Sequence, residues 1–158
     1  MEIRTKVKSI LDKLNIVSAP IPIEKIANLF SLAIIYYPKF PNSVSGTIIK
    51  DDDFHAIGVN ENHSKVRQRF TIAHELGHYI MGHDENTYLD DSFDKSTDKE
   101  REANKFAGEL LMPFEILKTD IEKNVYNIPS LAKRYEVSEQ AMSIRLLETN
   151  LINNHNLK

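Results

Sequence analysis

Apolar positions recur at helical spacing from the first residues. Ile3, Val7, Ile10, Leu11 and Leu14 make residues 3–14 read as an amphipathic helix. Pro20-Ile21-Pro22 interrupts it. Pro22 suits the first turn of a second helix through Phe30, with Ile23, Ile26, Ala27 and Phe30 inward. The pattern then shifts to strands: Ala33–Tyr37, and after a Pro-rich loop the runs Gly46–Lys50 and Phe54–Val59, which form a hairpin across Asp51-Asp52-Asp53. That Asp run lacks the spaced acids and twelfth-position Glu of a calcium loop, so it reads as a solvated turn. From about Ser64 to about Gly82 the chain is apolar on most sides, the mark of a long buried helix. Asp84–Thr97 is acidic and short of apolar residues, and reads as a surface loop bordering a cleft, its acids either drawing basic substrate segments or solubilising the loop.

A further helix runs from Asp98 to a stop near Pro113, with Thr97 or Asp98 as its cap and acids in its first turn. Its apolar face is Ala103, Phe106, Ala107, Leu110 and Leu111. Another helix follows Pro113 to about Lys123. Pro129–Tyr135 and Val137–Leu147 then have the outline of a helix-turn-helix, with a turn at Glu136-Val137 and Ser138 as cap. Its second helix offers Glu139, Gln140, Ser143 and Arg145, poor chemistry for phosphates, so packing or partner docking fits it better than DNA reading. Asn153–Lys158 reads as a frayed tail.

These elements predict an α+β fold: a short, mainly antiparallel sheet packed on the long helix, followed by C-terminal helices. At 158 residues the expectation is one domain. Within it fall N-terminal helices (1–32), a small sheet (33–60), two chemistry-bearing helices (64–112) and a C-terminal helical part (114–152). Hydrophobic content of 41% with 27% charge is that of a soluble globular protein, and no stretch is apolar enough to span a membrane. The N-terminus lacks the apolar core of a signal peptide and the chain has no cysteine, which makes the cytoplasm the default compartment. A formal net charge of −3 argues against strong nonspecific nucleic-acid binding.

The chemistry lies in the buried helix. His74-Glu75-Leu76-Gly77-His78 is an HExxH motif. Residues four apart share a helix face, so His74 and His78 can aim two imidazoles at one ion, and Glu75 stands one step round, where it can act as general base. Surface helices rich in His and Glu match the motif by chance, but this one is flanked by Phe70-Thr71-Ile72-Ala73 and Tyr79-Ile80-Met81. Two imidazoles and a carboxylate in so apolar a helix are costly unless something satisfies them, and a metal does. The competing reading is a pair of hydrogen-bonded core histidines.

Zinc in such a site needs a third protein ligand and an open position for water. The long metzincin pattern fails, because Met81 and Asp84 stand where it requires Gly and His. His83 falls one residue short and reads as a helix-end histidine near the last carbonyls. A Glu from the following helix remains. Stepping about 100° per residue puts Glu100 at the edge of the apolar face, leaves Glu102 further round and points Glu109 away. Glu100 is the better ligand and Glu102 the fallback. Asn104, one turn beyond Glu100, is placed to hydrogen-bond a ligand.

Three blocks together resemble the ImmA/IrrE family of metallopeptidases. They are Arg67–His78 running on to Met81-Gly82-His83, the Glu-x-x-Ala-Asn-x-Phe-Ala stretch from Glu100 ending in Leu110-Leu111-Met112-Pro113, and Val44-Ser45-Gly46 with Gly58-Val59-Asn60. The resemblance spans about Pro20 to about Ile152. It implies a small zincin-like domain holding one Zn2+ on His74, His78 and Glu100, with Glu75 as general base. It also implies a protein substrate: a helix-turn-helix (Xre-type) repressor, often encoded nearby, whose cleavage derepresses mobile-element or stress-response genes. The extra DNA-binding or sensor domains that some members carry find no room in a chain this short.

The expected reaction is peptide hydrolysis, with His55, His63 and Tyr79 as candidate oxyanion donors and Arg67 and Arg69 as anchors of the active-site helix or the acidic loop. The strand Phe54–Val59 is expected at a sheet edge, where Ala56 and Gly58 would bind an extended substrate by strand addition. Two rivals stand beside this reading. A metal-stabilised module that sequesters a repressor would not need Glu75. A small DNA-binding regulator would depend on Arg134 and Arg145.

Overall fold

A computed structural model describes residues 2–83, 97–123 and 127–153. The acidic loop expected from Asp84 therefore lies outside the described residues, apart from Thr97, and so does the tail after Asn153. The architecture is α+β: among the described residues, seven α-helices and one three-stranded sheet. They fall into two compact units, one drawn from Met1–Ile21 and Gly108–Lys158, the other from Pro22–Ala107. No helix among the described residues is long and apolar enough to cross a membrane.

The unit Pro22–Ala107 contains α2 (Ile23–Leu29), β1 (Leu32–Tyr37), β2 (Gly46–Asp51), β3 (Phe54–Asn60), α3 (Lys65–Met81) and most of α4 (Asp98–Leu111). β2 and β3 form the expected antiparallel hairpin, with Ile48 opposite Ile57. β1 joins β3 in parallel, with Ile34 opposite Ile57, so the strand order is β1-β3-β2 and the sheet is mixed. β3 is thus the central strand. The expectation that Ala56 and Gly58 sit on an open edge is corrected: both are buried and paired on both sides. The sequence carried a signal in the run Ala56-Ile57-Gly58-Val59, which has no alternating polar position, and the structure buries every residue from Ala56 to Asn60, as in a strand covered on both faces. Among the described residues, β1 and β2 are the outer strands of the sheet.

α3 packs against β2, β3 and α2, burying Ile72, Ala73 and Leu76 in a core shared with Ile26, Leu32, Ile57 and Val59. Its ends are set locally. Ser64 caps the start by accepting from the Arg67 amide. Gly82 ends it in the left-handed region at φ 70°, which glycine adopts without a Cβ penalty. The His83 amide then bonds back to the His78 carbonyl at 3.0 Å, turning the chain over the end of its own helix. α4 starts where Thr97 Oγ1 accepts from the Glu100 amide at 3.1 Å.

The other unit holds α1 (Glu2–Lys13), the end of α4, α5 (Phe114–Lys123), α6 (Ile128–Tyr135), α7 (Glu139–Glu148) and a 3-10 turn at Leu151–Asn153. α1 buries Val7, Ile10 and Leu11, three of its five expected apolar positions. Asn127 and Ser130 cap α6 reciprocally, and Ser138 caps α7. Glu136 turns the chain between them at φ 52°. Glu109, which points away from the Glu100 face as expected, is buried: it pairs with Arg145 of α7 and accepts from the Phe114 amide. Arg145 also donates to the Met112 carbonyl at 3.0 Å. Arg134 meets Asp120 at 2.8 Å, and the buried Tyr135 hydroxyl donates to the same carboxylate at 2.7 Å. Arg134 and Arg145 are therefore both engaged within this unit.

Candidate metal centre

Three side chains converge inside the unit Pro22–Ala107. His74 and His78 leave α3 on one face, one turn apart, and both are nearly inaccessible at 1% and 4% exposure. Glu100 reaches them from the first turn of α4. His74 Nε2 lies 3.1 Å from His78 Nε2 and 3.1 Å from Glu100 Oε2, while His78 Nε2 lies 2.9 Å from Glu100 Oε1. Ligand atoms about 2.0–2.1 Å from one tetrahedral ion stand about 3.3 Å apart. The triangle is nearly that size.

Hydrogen-bond polarity points the same way. His74 Nδ1 is 2.9 Å from Asn104 Oδ1, an atom that can only accept. His74 therefore donates through Nδ1, and in the neutral ring that a metal ligand requires the lone pair then sits at Nε2. That lone pair faces a carboxylate oxygen and a second imidazole nitrogen. Acceptors so placed in a buried site repel unless a cation lies among them. Two imidazoles and a carboxylate suit a divalent transition metal.

The approach of α4 to α3 depends on Gly77. A Cβ there would stand 3.1 Å from the Ala103 carbonyl oxygen and 3.2 Å from both Ala103 Cα and Phe106 Cβ. The missing side chain lets the two helices close at the turn between the ligands, which brings Glu100 within reach. Glu75 is buried beside His74 at 5% exposure.

Two neighbouring residues add to these surroundings. Glu102, the fallback ligand, does not join the cluster; its Oε2 lies 2.6 Å from His83 Nε2. His83 does stand at the helix end by the last carbonyls, as expected, but its ring is turned inward. It is buried, and its Nδ1 lies 2.9 Å from His78 Nδ1. The available signal was Gly82: a left-handed glycine stop folds the next residue back onto the last turn.

The remaining polar residues sort by their partners. His63 Nε2 lies 2.9 Å from the Asn42 carbonyl and 3.3 Å from the Asn60 amide, so that ring helps pin the 38–45 loop. His55 Nδ1 is hydrogen-bonded to the Tyr79 hydroxyl at 3.1 Å, and Lys50 Nζ lies 5.7 Å from the Tyr79 ring centroid. Arg67 donates to Ser45 Oγ at 3.1 Å, tying α3 to the start of β2. Arg69 is buried, and its charge acts on Tyr36. The Tyr36 hydroxyl donates to Glu24 at 2.5 Å. Burial, then that bond and the Glu24 charge, push its pKa up to about 12, against the pull of Arg69.

The model of the IrrE N-terminal-like domain matches residues 32–147. The chain belongs to this family. It is a metallopeptidase-like family, and the matched span contains His74, His78 and Glu100, the described residues that could hold a metal ion. The sequence matches no curated protein. Among solved structures, a Mycobacterium tuberculosis transcriptional regulator has the same fold, with a TM-score of 0.67 at 17% identity. The match covers 92% of this family member and 46% of that chain, so the sequence spans about half the regulator's length.

Proposed function

We propose that the protein is a zinc-dependent endopeptidase that cleaves a helix-turn-helix (Xre-type) repressor and so derepresses mobile-element or stress-response genes. The observation that carries this reading is the convergence of His74, His78 and Glu100 on one point, with Glu75 on the same helix. Membership of a metallopeptidase-like family supports it. The printed description of the fold neighbour, a transcriptional regulator, favours a role in gene control. Such a substrate is met on the chromosome, which puts the enzyme in the cytoplasm.

His74, His78 and Glu100 would hold one zinc ion. When bound, zinc supplies Lewis acidity, lowering the pKa of a water towards about 7 and stabilising oxyanion charge. Glu75 accepts the proton from the attacking water and passes it to the leaving amine. Asn104 fixes the His74 ring through Nδ1. The apolar walls of α3 exclude bulk water, which strengthens the electrostatics within. An extended substrate docks on β2 in place of β3, because β2 is an outer strand of the sheet among the described residues and lies against α3.

Co-expression with the repressor encoded beside the gene tests the proposal, comparing wild type with Glu75→Gln and measuring zinc on both. The expected result is cleavage by wild type alone, with equal zinc. Release of the repressor without cleavage in both would replace the peptidase with a sequestering module.

A further inference from the structure

We infer that Glu102 and His83 form a positioning relay that fixes the tautomer of His78 and so tightens metal binding. This rests on the metal-centre reading above and adds two residues to it. The argument follows the protons. A carboxylate oxygen accepts, so at 2.6 Å His83 Nε2 carries the hydrogen it donates to Glu102. A neutral imidazole has one such hydrogen, and His83 Nδ1 is then an acceptor. It lies 2.9 Å from His78 Nδ1, which must be the donor. The only proton on the His78 ring is thereby held at Nδ1, and Nε2 turns its lone pair to Glu100 and His74. Without the carboxylate, His83 can take the other tautomer, donate through Nδ1 and leave a proton on His78 Nε2, where it blocks ligation.

The geometry is built rather than incidental. Gly82 stops α3 in the left-handed region, and the His83 amide bonds to the His78 carbonyl, so backbone and ring of His83 both address one residue. His83 is 8% exposed, whereas Glu102 is half-buried at the outer end of the chain of contacts. His74 is oriented separately, by Asn104. The two ligands on α3 thus have different supports, a neutral amide for His74 and a histidine–carboxylate pair for His78. Outer partners of this kind are worth about 10–100-fold in metal affinity.

The test measures zinc affinity by chelator competition, without reference to cleavage, on wild type and three variants. His83→Phe keeps a planar ring but removes the acceptor, and is expected to weaken zinc binding about 10–100-fold. His83→Gln can accept from His78 Nδ1 through its side-chain carbonyl and is expected to restore most of that loss. His78→Ala is the control for the metal site itself. Imidazole nitrogen NMR of the zinc-loaded wild type should show the His83 proton on Nε2. A folded His83→Phe with wild-type affinity, or a His83 proton on Nδ1, would overturn the relay while leaving the metal centre standing. Unchanged zinc binding by His78→Ala would overturn both.

Discussion

Two buried polar clusters in this chain obey opposite rules. Glu109 and Arg145 form a pair whose charges cancel, and its remaining polar atoms reach the Phe114 amide, the Met112 carbonyl and, at 3.6 Å, Arg4. His74 and His78 are as deeply buried and Glu100 is partly so, yet the three turn acceptors toward one another. The first cluster is complete from its own residues and reads as structure. The second is complete only with a cation, and reads as a site. Burial of charged side chains alone does not separate the two cases; the balance of donors and acceptors does.

The largest expected effect sharpens the functional side. Glu75→Gln keeps the ligand set but removes the base, so cleavage of the repressor should fall by about 10²–10⁴-fold while zinc content stays unchanged. A proportional loss of zinc would instead make Glu75 part of the binding cluster. The self-neutralised pair is broken by Arg145→Met, which leaves the buried Glu109 only the half-exposed Arg4 at 3.6 Å and should cost up to about 3–5 kcal/mol in denaturant unfolding. Adding Glu109→Leu should recover much of that loss. No pair of apolar substitutions at His74 and Glu100 should recover cleavage, and recovery there would erase the contrast.

A third, intermediate effect concerns linkage. Zinc at about 100 times its dissociation constant should stabilise the wild type by about 2.7 kcal/mol, and EDTA should reverse the gain. His78→Ala should show no such shift in its thermal midpoint. Gly77→Ala is subtler. Overpacking costs about 1–3 kcal/mol, while alanine recovers about 1 kcal/mol of helix propensity. Stability should change little. Zinc affinity should drop clearly, because α4 and with it Glu100 must move away. The smallest effect lies outside both clusters. Tyr36 has its pKa raised from the ordinary 10.0 to about 12, so its contribution is complete below pH 10 and is lost as pH rises from 10 to 12. Tyr36→Phe should flatten that part of the alkaline unfolding curve.

Much of the local structure was legible in the sequence because its causes are local. Ser64 and Gly82 mark the ends of α3, the Asp turn marks the hairpin, and helical spacing places His74, His78 and Glu100 on facing stripes. What escaped depends on contacts between distant residues. Strand order follows from how the sheet is covered, which the alternation of single strands does not show, and β3 proves to be central. Glu109 and Arg145 are 36 residues apart, and neither helix pattern alone shows that the other end of the pair exists. His83 was read by its position at a helix end, when the glycine before it had already reversed the chain toward His78.

Zinc K-edge X-ray absorption on the purified, zinc-loaded protein tests the central claim most directly. The account expects about one tightly held zinc per chain in a four-coordinate shell of nitrogen and oxygen at about 2.0–2.1 Å. Two imidazoles should be resolved in the scattering, and one of them should be lost in His78→Ala. A six-coordinate oxygen shell without imidazole, or zinc that washes away on dialysis, would contradict it.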